Sequence, residues 1–263
     1  MQQRRCRRFI RPVELAHDDV AHGTVGADDE TRRQQFHVPV APRRIEAIER
    51  NAEVDGKAAQ KLALRRLLVA VAGNGHAELD ARFVDALRGV LRHPDLDAAF
   101  KELVLTLPSE AYVAEQLALV DPQRIHTARE GMRAQLAHLL HEDWVWAYEQ
   151  HHELGGYSPD PVSSGRRALA NLALGMLVLD GSVRHNPVWT GKALQRFKDA
   201  NNMTDRLGTL SALVNAHADL AEQALERFHQ QFRGEALVID KWFSLQALAP
   251  EKDGKVFARA KAL

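Results

Sequence analysis

The sequence predicts an all-α fold, with helix pairs stacked into an α-solenoid or superhelical arrangement, and three observations carry that prediction. Apolar residues recur with a period near 3.6 from Arg44 onward. No segment alternates apolar and polar residues as a half-buried strand would. Turn signals such as Gly73-Asn74-Gly75, His93-Pro94, Pro108-Ser109, Gly155-Gly156 and Pro250 cut the periodic runs at close intervals. The result is about ten to twelve helices joined by short connections, although no fixed-period sequence repeat accompanies them.

Residues 1–43 are predicted to be irregular or disordered, and 44–263 to form the helical domain. Arg4, Arg5, Arg7, Arg8 and Arg11 crowd the start without an acidic neighbour. Such a run is either a polyanion-binding arm or a solvated end, and the lack of interleaved aromatics favours the latter. From Leu15 to Arg43 neither helical nor strand periodicity is present. Ile45 and Ile48 then open the helical pattern, and Lys57–Ala72 carries Leu62, Leu64, Leu67, Leu68 and Val71. Phe83, Val84, Leu87, Val90 and Leu91 make the next amphipathic helix. Asp95 is expected to cap a short helix through Leu103, and Ser109 to cap one over Glu110–Leu119.

Asp121-Pro122 joins a capping carboxylate to a proline at the first helical position, where its missing N–H costs nothing. The stripe Ile125, Met132, Leu136, Leu140, Trp144 and Ala147 extends this helix as one piece toward Gly155-Gly156. Tyr157–Ser164 reads as a loop, with Ser163 and Ser164 at a helix start. Leu169–Leu179 contains only Asn171 and Gly175 as non-apolar residues, so this helix should be wrapped on all sides. Asn186-Pro187 starts the next, which carries Trp189, Ala193 and Phe197 into a sharp corner at Asp199–Asp205. There Asn201 or Asn202 is expected in the left-handed conformation, with Thr204 as N-cap and Asp205 at the positive helix end. Leu207, Leu210 and Val214 continue to a break near His217. Asp219 and Glu222 have capping-box spacing before Ala221, Leu225, Phe228 and Phe232. Trp242, Leu245 and Leu248 form the stripe of a last strong helix, and Glu251–Leu263 is a weakly apolar tail.

Among 263 residues, 35 Lys and Arg balance 35 Asp and Glu, which argues against nucleic acid as a partner. The single cysteine, Cys6, rules out a disulfide within the chain and fits a reducing compartment. No apolar run reaches membrane-spanning length and no signal-peptide core opens the chain, so the expected location is cytoplasmic and no membrane partner is implied.

Candidate chemistry is sparse. His138 and His141 with Glu142, and Glu149 and His152 further on, share one helix face and include metal-ligand types. They lack H-E-x-x-H spacing and lie opposite the apolar stripe, so a wet surface is the simpler reading. His151-His152-Glu153 beside Gly155 reads as a helix end. Cys6 sits among arginines that would favour its thiolate, but no histidine is paired with it. Gly23-x-x-Gly26 follows no strand and is not a phosphate loop. Trp144, Trp189 and Trp242 occupy core positions, whereas Trp146 lies off its helix stripe and should face another domain or chain.

Five strings carry a family resemblance: Leu105-Thr106-Leu107-Pro108-Ser109-Glu110, Asp121-Pro122-x-x-Ile125, Arg166-Arg167-Ala168-Leu169-Ala170, Ala200-Asn201-Asn202-Met203-Thr204-Asp205, and Asp240-Lys241-Trp242-Phe243-x-Leu245-Gln246-Ala247. They are similar to the C-terminal helical domain of the bacterial alanyl aminopeptidases (the aminopeptidase N family), gluzincin-type zinc exopeptidases. Arg8-Phe9-x-x-Pro12-Val13 resembles the exit from the family's preceding β-sandwich domain, but no Asn-Arg-Trp-Glu-like segment follows. The resemblance implies a non-catalytic domain that closes over a thermolysin-like catalytic domain, its partner, and walls the peptide cavity of the intact enzyme. The family's H-E-x-x-H helix and Gly-Ala-Met-Glu-Asn loop have no match in this sequence. No catalytic, cofactor-binding or metal residue is therefore carried over, and zinc is expected only in the intact enzyme. The chain reads as a fragment, truncated before the family's last helices. The alternative is an independent helical scaffold binding a protein or peptide in its concave face. A hydrolase built on the His138 cluster is a third reading.

Overall fold

The computed structural model describes residues 56–153 and 155–263, so residues 1–55, with Cys6, Gly23, Gly26 and the segment 1–43, lie outside the described part. The chain divides at Ala41/Pro42, and every described residue belongs to the second unit. All regular structure among the described residues is helical, as the periodicity predicts. In chain order the helices are α1 (Gly56–Ala72), α2 (Ala81–Arg92), α3 (Ala98–Leu105), α4 (Glu110–Ala114), α5 (Pro122–Leu139), α6 (His141–His151), α7 (Pro161–Val183), α8 (Val188–Asp199), α9 (Met203–Asn215), α10 (Ala221–Phe232), α11 (Ala236–Ala247) and α12 (Lys255–Ala262).

The helix starts are set by short polar side chains that accept from exposed N–H groups. Asp80 accepts from Phe83 N–H, Ser109 from Tyr112 N–H and Asp121 from Arg124 N–H. Four expected starts move. Asp97, not Asp95, caps α3 by accepting from Phe100 N–H. Asp160 caps α7 with Pro161 next to it, so half of the expected Tyr157–Ser164 loop is helix. Asn202 caps α9 in an extended conformation by accepting from Asp205 N–H, which leaves Thr204 inside the helix and no left-handed residue at that corner. Leu220 precedes α10 without a side-chain cap, so the Asp219–Glu222 capping box does not form. Among the described residues the left-handed non-glycine positions are His185, His217 and Asp253, and His217 marks the expected break.

Two helix lengths also differ from the sequence pattern. α4 stops at Ala114, five residues short of Leu119, whose side chain is solvent-exposed. The long helix expected after Asp121 bends at Leu140 (φ −110°, ψ 21°), where α5 gives way to α6. The bonds from Leu140 N–H to Leu136 O and from Trp144 N–H to Leu140 O bridge the bend, so the apolar stripe passes through it unbroken.

α7 is the central element, packed against α3, α5, α6, α8 and α9. Leu169, Ala170, Ala173, Leu174, Leu177 and Val178 are fully buried on all its faces, as an all-apolar helix requires. Helices α2, α6, α8 and α10 are linked in succession. Arg88 and Arg92 of α2 bind Asp143 of α6, Tyr148 meets Trp189 edge-on at 5.6 Å, and Phe197 meets Phe228 at 6.5 Å. Each of the last three pairs its neighbour in the chain: α6 with α7, α8 with α9, and α10 with α11. This is the stack of helix pairs that the short connections predict.

At the α8–α9 corner, Arg196 donates to Asp205 at 2.9 Å, and both side chains are buried. Asn202 Nδ2 donates to the second Asp205 oxygen, so the carboxylate is satisfied on both sides. Burial pushes the adjacent Tyr148 phenol upward and the Asp205 charge adds to this, while Arg196 opposes it. Trp242 corrects an expectation: it is half-buried, with Nε1 donating to Leu225 O at 3.0 Å, and Leu248 of the same stripe is exposed.

Candidate functional site

One concave surface crosses α3, α5, α7 and α9. Gly208 of α9 brings the two long helices together: a Cβ there would sit 2.6 Å from Asn171 Nδ2. The resulting groove holds about 450 Å³ and is floored by Gly175, Met176 and Ala212. Its polar side chains are the amides Asn171 and Asn215, the hydroxyls Thr106 and Ser211, the guanidinium groups of Arg129 and Arg133, and the Glu102 carboxylate. Asn171 Oδ1 is covered and has no hydrogen-bond partner, while Asn215 Nδ2 donates to Ser211 Oγ. Arg129 donates to Pro108 O and to Glu130, and Arg133 donates to the other Glu130 oxygen. Hydroxyl and amide groups beside cations suit the main chain of an extended peptide. Among the described residues the Ser211 hydroxyl is bound by Asn215 and by no histidine or carboxylate, which a nucleophile needs for activation.

The histidine cluster is not simply wet. His141 Nδ1 lies 2.8 Å from Asp180 Oδ2, and His138 Nδ1 lies 3.3 Å from Asp180 Oδ1. Arg184 adds a contact to His138 Nε2 at 3.3 Å and another to Asp180 at 3.8 Å. Asp180 is buried, and a carboxylate in the apolar α7 is tolerable because these groups surround it. Glu142 and Glu149 point to solvent and His152 stacks on the Tyr148 ring at 5.0 Å, so the structure does not bring the five candidates together. Among the described residues no group of three or more His, Cys, Asp or Glu side chains is placed to hold a metal ion, and the donor set does not fit zinc. Asp180 was missed from sequence because the apolar run was followed only to Leu179. The signal was there: a lone acid in a helix buried on all sides must have partners elsewhere.

Ser163 and Ser164 belong to the first turn of α7, and Ser163 N–H is bound by the Asp160 cap. Trp144 and Trp189 are buried, as their positions predict. Trp146 meets Arg92, whose guanidinium lies 4.5 Å from the ring centroid, and faces a second cavity within this unit.

Comparison with known proteins fits this architecture. Residues 55–263 match the family model described as a domain of unknown function, DUF3458_C, ARM repeats. Aminopeptidase N from Caulobacter vibrioides is 34% identical over 197 residues, which is 75% of this chain and 22% of that protein. Those from Haemophilus influenzae and Escherichia coli are 34% and 33% identical over 188 and 172 residues. The chain thus spans about a fifth of the length of these curated relatives. A crystal structure of Legionella pneumophila aminopeptidase A in complex with aspartic acid shares the fold, with a TM-score of 0.66 and 23% identity over 79% of this chain and 24% of that one.

Proposed function

Since the chain belongs to the DUF3458_C family of ARM repeats, we propose that it is the C-terminal structural domain of a zinc-dependent aminopeptidase, lining the peptide cavity without catalysing the reaction itself. The observation that carries this is the alignment with aminopeptidase N, which runs along 75% of this chain but only 22% of the relative. A catalytic domain would be the partner, and peptides would be substrates only of the assembled enzyme. Zinc would belong to that partner.

Hydrolysis of a peptide bond needs an activated water and a carboxylate to move its proton, and acidic groups to hold the substrate's amino terminus. In this reading the chain's own residues do other work. The groove over α7 and α9 presents the Ser211 and Asn215 side chains to a peptide main chain, with Arg129 and Arg133 along its edge. Its walls exclude folded chains and keep an extended one close to the catalytic side. No helix among the described residues is long and apolar enough to cross a membrane. The balanced formal charge speaks against a nucleic-acid partner.

The test is a chimaera in which this chain replaces the aligned segment of Caulobacter vibrioides aminopeptidase N. The chimaera should hydrolyse alanyl and arginyl anilides, whereas the isolated chain should not, with or without added zinc. Zinc-dependent turnover by the isolated chain, abolished by His141→Ala, would overturn the reading. An inactive chimaera, together with saturable peptide binding by the isolated chain, would favour the independent scaffold instead.

A further inference from the structure

A second cavity lies apart from the groove, where the ends of α2 and α6 meet the starts of α3 and α7. It encloses about 750 Å³, within the range of small-molecule sites. Gly165 sets its depth: a Cβ there would stand 2.9 Å from Ala99 N, so α7 approaches α3 closely only with glycine at this position. The walls combine apolar surface from Leu96, Ala98, Pro161 and Val162 with the half-buried Trp146 ring.

The charges of this cavity do not balance within it. Lys101 lines it, is 3% exposed, and has no hydrogen bond or ion pair with any described residue. Its nearest interactions are the Trp146 ring, 5.8 Å from Nζ, and the charge of Asp97, whose carboxylate is engaged in capping α3. Both nitrogens of His151 are covered and unpartnered. The other cations are already neutralised: Arg92 binds Asp143 at 2.7 Å, and Arg166 lies 3.4 Å from Glu153. A buried, unpaired ammonium is costly, and native chains keep such a group where something completes it. Burial pushes the Lys101 ammonium down from its ordinary range, and His151 is lowered by burial and by Lys101 and Arg166.

We propose that this cavity binds a small monocarboxylate with an apolar or aromatic body, its carboxylate on Lys101 and its body against Trp146. Among the described residues Lys101 is the lining cation without a hydrogen bond or ion pair, and one carboxylate would supply that partner, whereas a phosphate dianion would bring a second negative charge close to Asp97. The walls have little else to offer a purely ionic ligand, since most of them are carbon. The site stands on its own geometry and is independent of the aminopeptidase reading.

The experiment uses the full 263-residue chain with benzoate as the probe, and with benzamide and inorganic phosphate as controls. Calorimetry should show saturable benzoate binding and no measurable binding of benzamide. Lys101→Met keeps the length of the side chain and removes its charge, and should weaken benzoate at least about ten-fold, the loss expected of one charge-assisted hydrogen bond. The same variant should melt no lower than the parent, because it also removes a buried unpaired charge. Proton spectra provide a second readout: benzoate should raise the midpoint of His151 titration, since a neighbouring anion favours imidazolium. Should Lys101→Met fold poorly, the shift of His151 in the parent chain still decides. Lack of saturable benzoate binding, equal binding of benzamide, or phosphate binding more tightly than benzoate would each overturn the assignment.

Discussion

Helices α7 and α11 are both apolar, yet only one of them is core. α7 buries residues on every face, from Leu169 to Gly181, because five helices surround it. α11 carries Leu237, Val238, Trp242, Phe243 and Leu245, but its one fully buried side chain is Gln246. Leu237 and Leu248 are more than four-fifths exposed. The difference lies in neighbours: among the described residues α11 packs mainly against α9, α10 and α12. Apolar composition thus sets what a helix can bury, and the number of flanking helices sets what it does bury.

The largest effect should come from the better-packed helix. Leu177→Ala removes a fully buried side chain from α7, and should cost about 3–5 kcal/mol because the surrounding helices cannot close the cavity. Urea unfolding followed by circular dichroism measures this. A loss under about 1 kcal/mol would mean that α7 can relax, and would erase the contrast with α11. Next comes the α8–α9 corner. Arg196→Met leaves Asp205 buried with only Asn202 as a side-chain donor, and should cost about 2–4 kcal/mol. Asp205→Asn in the same background should recover part of it, since the uncompensated charge is then gone. If it recovers nothing, shape and not charge governs that corner.

These two positions also show how far the sequence could be read. Leu177 was legible, because a run with only Asn171 and Gly175 as non-apolar residues has one physical outcome in a stack. The corner was legible as a corner but not in its chemistry. Asn202 and Thr204 are both competent caps, and the choice depends on which backbone is extended when α9 docks. Asp95 and Asp97 presented the same ambiguity. The bend at Leu140 was hidden because hydrogen bonds and stripe both run through it. The sites were less legible still. Asp180 gathers His138 and His141 across 39 or more positions of sequence, and Lys101 is buried only because Gly165 admits α3. Local periodicity does not record such pairings.

Trp242→Ala is the intermediate case and the direct measure of α11. The ring is half-buried, touches His229 at a centroid distance of 4.9 Å, and donates to Leu225 O. Removing it should cost about 1–3 kcal/mol, below the full penalty for a buried aromatic. Amide exchange offers a check that does not depend on mutation. α11 amides should open with less free energy than those of α7, because fewer buried contacts hold them. Equal protection in the two helices would show that α11 unfolds only with the core, and the comparison would fail at that point.

The smallest effect is the most diagnostic of exposure itself. Leu248 follows α11, is 82% exposed, and lies at the rim of the groove together with Pro250. Its amide N–H still donates to Ser244 O, so the backbone bond survives a change of side chain. Leu248→Ser removes apolar surface that is already in water, and therefore forfeits almost no transfer free energy. Stability should stay within about 0.5 kcal/mol of the parent, as for surface sites without special roles. A loss of more than about 1.5 kcal/mol would require Leu248 to be covered in solution. The cover would then have to come from a second copy, which a concentration-dependent melting temperature would reveal. A null result, set against the cost of Leu177→Ala, ties the difference to the number of flanking helices, because both substitutions truncate a leucine and only one of them is covered.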